Sequence, residues 1–357
     1  MQTIDIYAGK QAFQHIEKNG LKPRDIRVII GASGGPKWFV LSHLDRYLVS
    51  NWLPQIDHQL ELVGSSIGAF RMAAYASENP LAAIEQLEKQ YINQRYSTNR
   101  PSSKEVSQSS IDILKAMLSE NDLKHHQSRK LHIITARAKG LIENENKFKQ
   151  GLGLAQVAAG NYLSRKLLAR HFDRVIFQSP GGHLPIEQWD KFKTSAITLS
   201  KENYFTAVEA SGAIPIVMQG VKDPFGAPKG TYRDGGMVDY HFDLPIKPKD
   251  GLVLYPHFSS TIKPGWFDKN IQSRKVSADN YSHTVVICPS QAFIDSLPNG
   301  AIPNRKDYTR FDDLTRINNW TTAVRESRKL AEEFQRWYEQ GTPIKNVKPI
   351  EEICHSK

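Results

Sequence analysis

Short apolar, β-branched runs alternate along the chain with stretches whose apolar residues recur every three or four positions. The runs are Ile26-Arg27-Val28-Ile29-Ile30, Leu60-Glu61-Leu62-Val63, Leu131-His132-Ile133-Ile134, Val175-Ile176-Phe177 and Leu252-Val253-Leu254. Each is short and branched enough to be a buried strand. Between them Phe39, Val40, Leu44, Tyr47 and Leu48 share a helical face. Strand, helix and strand in succession predict an α/β fold, three layers α/β/α around a mostly parallel central sheet. No internal repeat is visible.

Two segments break the rhythm. Residues 96–110 (YSTNRPSSKEVSQSS) are polar and Ser-rich and predict a mobile surface loop, a solvated connection or, as the sharper reading, a lid near an active site. Beyond about residue 262 the alternation weakens. One long amphipathic helix is expected there, carrying Val324, Leu330, Ala331, Phe334, Trp337 and Tyr338 before Gly341, a residue type that suits a helix stop. Docking on the core is the expected use of its aromatic face, in preference to a membrane. The expected organisation is a main domain over residues 1–262 and a C-terminal extension over residues 263–357 packed on it.

Composition narrows the class. The chain has 357 residues, with 47 Lys+Arg against 37 Asp+Glu and a formal net charge of +10. Its mean hydropathy is −0.48, and no run approaches the ~20 apolar residues that span a bilayer. A protein embedded by helices is thereby excluded. Residues 1–30 show no apolar leader core, so a cytoplasmic chain without a signal peptide is expected, with peripheral membrane contact as a further option. Cys288 and Cys354 are the only cysteines, too few and too far apart for a disulfide framework or a CxxC metal site. The histidines show no metal-ligand spacing, so neither metal nor cofactor is expected. The basic excess suits an anionic partner. Its cations are scattered and form no nucleic-acid-binding pattern, so no nucleic-acid partner is expected.

Three motifs carry chemistry. Gly64-Ser65-Ser66-Ile67-Gly68 is a G-x-S-x-G between the strand at Leu60 and an apolar helical run through Ile67, Phe70, Ala73 and Ala74. A Ser on such a sharp strand-to-helix turn projects its hydroxyl from the sheet edge, beside a helix N-terminus that favours developing negative charge. Gly31-Ala32-Ser33-Gly34-Gly35-Pro36-Lys37-Trp38 follows the strand at Ile26. Its glycines allow backbone N–H groups to converge on an anion, either a phosphate or the oxyanion of an acyl transfer. Neither the dinucleotide fingerprint nor the P-loop is matched, because Ser33 follows Gly31 by two and Trp38 follows Lys37. Tyr232-Arg233-Asp234-Gly235-Gly236 is the third. A Ser hydroxyl needs a base within about 3 Å, and a carboxylate can serve as well as an imidazole.

In this order the three motifs resemble those of the patatin-like phospholipase family. Gly34-Gly35-Pro36-Lys37 is similar to its anion loop, Ser66 to its nucleophile and Asp234 to the partner in a Ser–Asp dyad without histidine. Ile134-Thr135-Ala136 and Ala210-Ser211-Gly212-Ala213-Ile214-Pro215 are similar to two further segments, and the likeness covers residues 28–245. It implies a patatin-like fold, with residues 1–262 as the catalytic domain. It also implies hydrolysis of fatty acyl esters of phospholipids or lysophospholipids, a serine lipid acyl hydrolase working at a membrane surface through an acyl-enzyme. Ser66 and Asp234 are then the catalytic pair, and Gly34, Gly35, Pro36, Lys37 and Ile67 hold the oxyanion or substrate. Gly64, Gly68, Gly235 and Gly236 are the motif glycines. Ser33 and Trp38 stand where the pattern has glycines, and Trp38 would either narrow the entrance or pack the helix; Ala69 is a milder departure. The competing readings are a His-dependent serine esterase using His241, His257 or His283, and a non-catalytic module that binds an anion or lipid.

Overall fold

The computed structural model describes residues 2–98 and 100–354. Its strands are β1 (Ile4–Ala8), β2 (Ile26–Gly31), β3 (Leu60–Ser65), β4 (Arg129–Ala138), β5 (Phe172–Gln178), β6 (Thr194–Thr198), β7 (Val221–Lys222), β8 (Thr231–Asp234), β9 (Leu252–Pro256), β10 (Thr284–Pro289) and β11 (Val347–Pro349). They form one sheet in the order β11-β1-β10-β9-β2-β3-β4-β5-β6, with β8 against β4 and β7 against β8. The β10-β9-β2-β3-β4 block is parallel throughout. Antiparallel pairings enter at β1–β10, β4–β5 and β8. This is the expected three-layer α/β/α architecture around a mostly parallel sheet. The reason is compositional: β2, β3, β9 and β10 are buried along nearly their whole length, as strands covered on both faces by helices must be.

The expected loop at 96–110 is corrected in part. Residue 99 lies outside the described residues, but Ser103–Met117 is a helix that packs Ile113, Leu114 and Met117 inside. Ser102 starts it, its hydroxyl accepting the N–H of Glu105 at 3.1 Å, and Glu105 in turn accepts the N–H of Ser97 at 2.6 Å. Ser102 and Glu105 are an S-x-x-E helix start hidden inside a polar run. The single long helix expected near the C-terminus is two, Asp313–Glu326 and Arg328–Glu339. They part at Ser327, whose hydroxyl bonds back to Val324 O at 2.7 Å and receives the N–H of His43 at 3.2 Å, a side-chain bond that competes with the helical ladder. Gly341, at φ 79°, closes the second helix.

Residues beyond 262 do more than lie on the main domain. They supply β10, which sits between β1 and β9 inside the sheet, and β11 at its edge; residues 355–357 lie outside the described residues. The aromatic face docks on the core, with Trp320 5.3 Å from Phe39 and Phe334 5.1 Å from Trp52, ring centre to ring centre. Among the described residues no helix is long and apolar enough to cross a membrane.

Candidate active site

One strand brings the two ends of the Ser–Asp pair together. Along one edge of β4, residues 129–134 pair with β3 in parallel, and the last partners are Ser65 and Ile134. The same edge then continues with β8, antiparallel, whose final residue Asp234 faces Thr135. The two strands therefore meet end to end on consecutive residues of β4. Ser66 and Asp234, 168 positions apart in sequence, are left as neighbours, with Ser66 Oγ donating to Asp234 Oδ2 at 2.7 Å.

The turn at Ser66 is sharp. Its backbone sits at φ 54°, ψ −130°, a conformation L-residues avoid and one held only where surrounding structure over-determines it. Ser211 supplies part of that hold: its hydroxyl accepts the Ser66 N–H at 2.9 Å and donates to Ile134 O at 2.6 Å. The glycines of the motif do the rest by close approach. A Cβ on Gly68 would lie 1.9 Å from Gly31 O, and one on Gly64 would lie 2.3 Å from Gly68 O. A Cβ on Gly235 would meet Ile134 O at 2.1 Å. Each glycine lets one backbone pass another where any side chain collides.

The glycine-rich loop runs alongside. Gly34 and Gly35 stand at the start of a 3₁₀ turn over Gly35–Leu41. The N–H groups of Gly34, Gly35 and Ile67 have no acceptor among the described residues, which leaves them available to an anion. Ser33, found where the family pattern has glycine, is engaged: its hydroxyl pairs with Ser65 Oγ at 2.8 Å, and Ser65 Oγ reaches Asp239 O at 2.6 Å. That chain ties the glycine loop to the turn at Ser66. Trp38 is fully buried beside Phe39, so it packs the interior and does not narrow an entrance. Gly236 donates its N–H to Asp234 Oδ1 at 2.7 Å. Pro36 is buried in the first turn. Of the expected site residues Ser66 and Ile67 line the cavity, whereas Asp234, Gly34, Gly35, Pro36, Lys37 and the other motif glycines stand behind its surface; the Lys37 ammonium lies 5.2 Å over the Phe258 ring.

Ser66 opens onto a cavity of about 480 Å³, within the size range of ligand pockets. Its walls are mainly apolar, among them Ile67, Phe70, Leu87, Ile113, Ile214 and Met218. The helix Ser103–Met117 contributes through Val106 and Ile113, so the polar run read as a loop forms part of the wall.

Sequence reasoning missed the cations. Arg305 is exposed, and it lines the same cavity. Its Nε falls 2.8 Å from where a Cβ on Gly35 would stand. Lys269 lies 4.0 Å over the Tyr240 ring, its ammonium pushed down to about 7 by burial and by the charges of Lys37 and Arg305. Burial raises the Asp234 carboxyl above its ordinary value; Arg305, the Ser66 hydroxyl, the Gly236 N–H and Lys269 pull the other way. No local motif marks Arg305, which arrives from a loop beyond β10.

Each of the three histidines is held by a bond through Nδ1, while the Nε2 of His241 and of His257 is buried with no partner among the described residues. His257 is a buried imidazole whose Nδ1 pairs with Ser259 O, and burial drives it down to about 3. His241 Nδ1 accepts the N–H of Lys263 at 2.9 Å, and burial with the His257 charge holds it well below its ordinary value. His283 pairs with Ser282. Comparison with protein-family models, with curated proteins and with solved structures gives no match to this chain. The functional reading therefore rests on its own residues.

Proposed function

We propose that the protein is a serine acyl-ester hydrolase of the patatin-like kind, acting on fatty acyl esters of phospholipids or lysophospholipids. One observation carries the reading: the 2.7 Å hydrogen bond to a buried aspartate from the Oγ of Ser66, itself in the wall of an apolar cavity. Ser66 Oγ attacks the ester carbonyl while Asp234 takes its proton. The resulting oxyanion is met by the N–H groups of Gly34, Gly35 and Ile67, donors worth about 3–4 kcal/mol each in comparable sites. Collapse of the tetrahedral species expels the alcohol, which leaves with the proton held by Asp234, and an acyl-Ser66 ester remains. A water then gives its proton to Asp234 and attacks that ester, and Ser66 leaves as the protonated hydroxyl with the fatty acid as product. The apolar cavity receives the acyl chain. Asp234 acts in place of a histidine.

A fluorophosphonate probe with mapping of the labelled residue tests this directly. Ser66 is the expected site, and Ser66→Ala is expected to abolish labelling and to lower ester hydrolysis by about 10³-fold or more. Asp234→Asn is expected to do the same to turnover, and His257→Ala to leave it nearly unchanged. Labelling at another residue, or a dependence on His257 with Asp234 dispensable, overturns the dyad. Anion binding without any labelling favours the non-catalytic module.

A further inference from the structure

The helix Lys147–Leu163 is built as two faces, and the outward one is apolar. Gln150, Gly153, Val157 and Asn161 point into the protein. Phe148, Leu152, Ala155, Ala159, Tyr162 and Leu163, spaced by three and four, point out. Phe148, Tyr162 and Leu163 are 75%, 74% and 79% exposed, a concentration of large apolar side chains that an isolated surface helix has no reason to carry.

Charge says what covers this face. From 147 to 170 the sequence KFKQGLGLAQVAAGNYLSRKLLAR holds Lys147, Lys149, Arg165, Lys166 and Arg170 and not one Asp or Glu. The nearest upstream acid with a partner, Glu145, is engaged by Arg233 at 2.8 Å. An apolar stripe whose own segment carries Lys147, Lys149, Lys166 and Arg170, with Arg165 paired to Asp268 at 3.1 Å, matches an anionic bilayer surface, which offers acyl chains beneath negative headgroups. It does not match a second copy, which would bring the same cations and the same +10.

Position adds the third argument. The inward face of the helix holds the lip of the catalytic cavity: Gln150 Oε1 accepts the N–H of Ile216. The next two residues, Val217 and Met218, line the cavity, and Val217 is itself 46% exposed. At the other end, Asn161 Nδ2 donates to Asp268 Oδ1 at 2.8 Å, one residue before Lys269.

We propose that the helix Lys147–Leu163, with the basic turn that follows it, docks on membranes, seating the protein on an anionic phospholipid surface with the cavity lip against the lipid. The use of that lip for substrate entry rests on the hydrolase reading; the docking itself does not.

The test is co-sedimentation of the full chain with vesicles of phosphatidylcholine, with and without ~30 mol% phosphatidylglycerol, at low and high salt. The wild type is expected to bind the anionic vesicles, and binding is expected to fall with salt. The double variants Phe148→Ser/Leu163→Ser and Lys147→Glu/Lys149→Glu are each expected to weaken binding at least tenfold. Both change exposed side chains and should leave hydrolysis of a monomeric short-chain ester as it was. Ser66→Ala is expected to bind vesicles like the wild type, so a failed hydrolase reading leaves the docking result intact. Three outcomes overturn the proposal: no binding by the wild type, binding unchanged in both double variants, or wild-type self-association that the Phe148→Ser/Leu163→Ser variant abolishes.

Discussion

Asp234 sets the residue scale, because its environment decides which proton state does the work. A base must be ionised to accept the Ser66 proton. Burial raises its carboxyl, so activity is expected to climb with pH through a value above the ordinary ~3.9 of an aspartate. Arg305 is the strongest of the groups opposing that rise, and Lys269 acts in the same sense. Lys269 is still charged below about 7, so both cations are present across the acid limb. Arg305→Ala is therefore expected to move the acid limb of kcat/KM upward, and Lys269→Met to move it the same way by less. A pH–rate profile on a soluble ester checks both; an unmoved limb in Arg305→Ala shows that Arg305 does not support Asp234. Ser66, Asp234 and the motif glycines were legible in the sequence because each lies in a local pattern. Arg305 was not, since it owes its place to the packing of a distant segment.

At the scale of elements, the turn between β3 and the helix Ile67–Ala76 is held by backbone contact. Gly68→Ala puts a Cβ into Gly31 O, a clash that is not relieved by rotating a side chain. A loss of about 3 kcal/mol in chemical denaturation is expected, the upper part of the usual overpacking range, together with loss of activity. The same helix is pinned from its other side. Arg71, fully buried, pairs with Asp45 through Nε at 2.9 Å and Nη2 at 2.7 Å, and Tyr75 OH adds a third bond at 2.9 Å. Asp45→Ala strands a buried guanidinium, and a loss of about 3–5 kcal/mol is expected. A denaturation midpoint within error of the wild type contradicts this. Elements starting with an apolar period were legible along the chain. Ser103–Met117 escaped because its polar residues outnumber its buried ones, and its start signal, Ser102 with Glu105, is two residues wide.

Over the whole molecule, the segment 263–354 is built into both the sheet and the site. It contributes β10 between β1 and β9, the rings of Trp320 and Phe334 in the core, and Arg305 beside the cavity. A chain cut after residue 262 leaves β1 and β9 without their shared neighbour, two rows of unpaired backbone groups that natural sheets do not leave open. That fragment is expected to lack near-ultraviolet circular dichroism and to aggregate; a soluble fragment with native tertiary signals shows that the sheet closes without β10.

Only a resemblance to a family pattern pointed to Asp234 as the acidic partner; by itself the sequence determined the α/β class and the turn that presents Ser66. Those depend on side-chain period and on residue types within a few positions of one another. Only the tertiary structure decided that β3 and β8 end head to head on β4, that residues after 262 enter the sheet, and that Arg305 and Lys269 both act on one aspartate. Such facts depend on register and packing between segments tens to hundreds of residues apart, where no local pattern of residues states which partner a strand edge or a charged side chain will find.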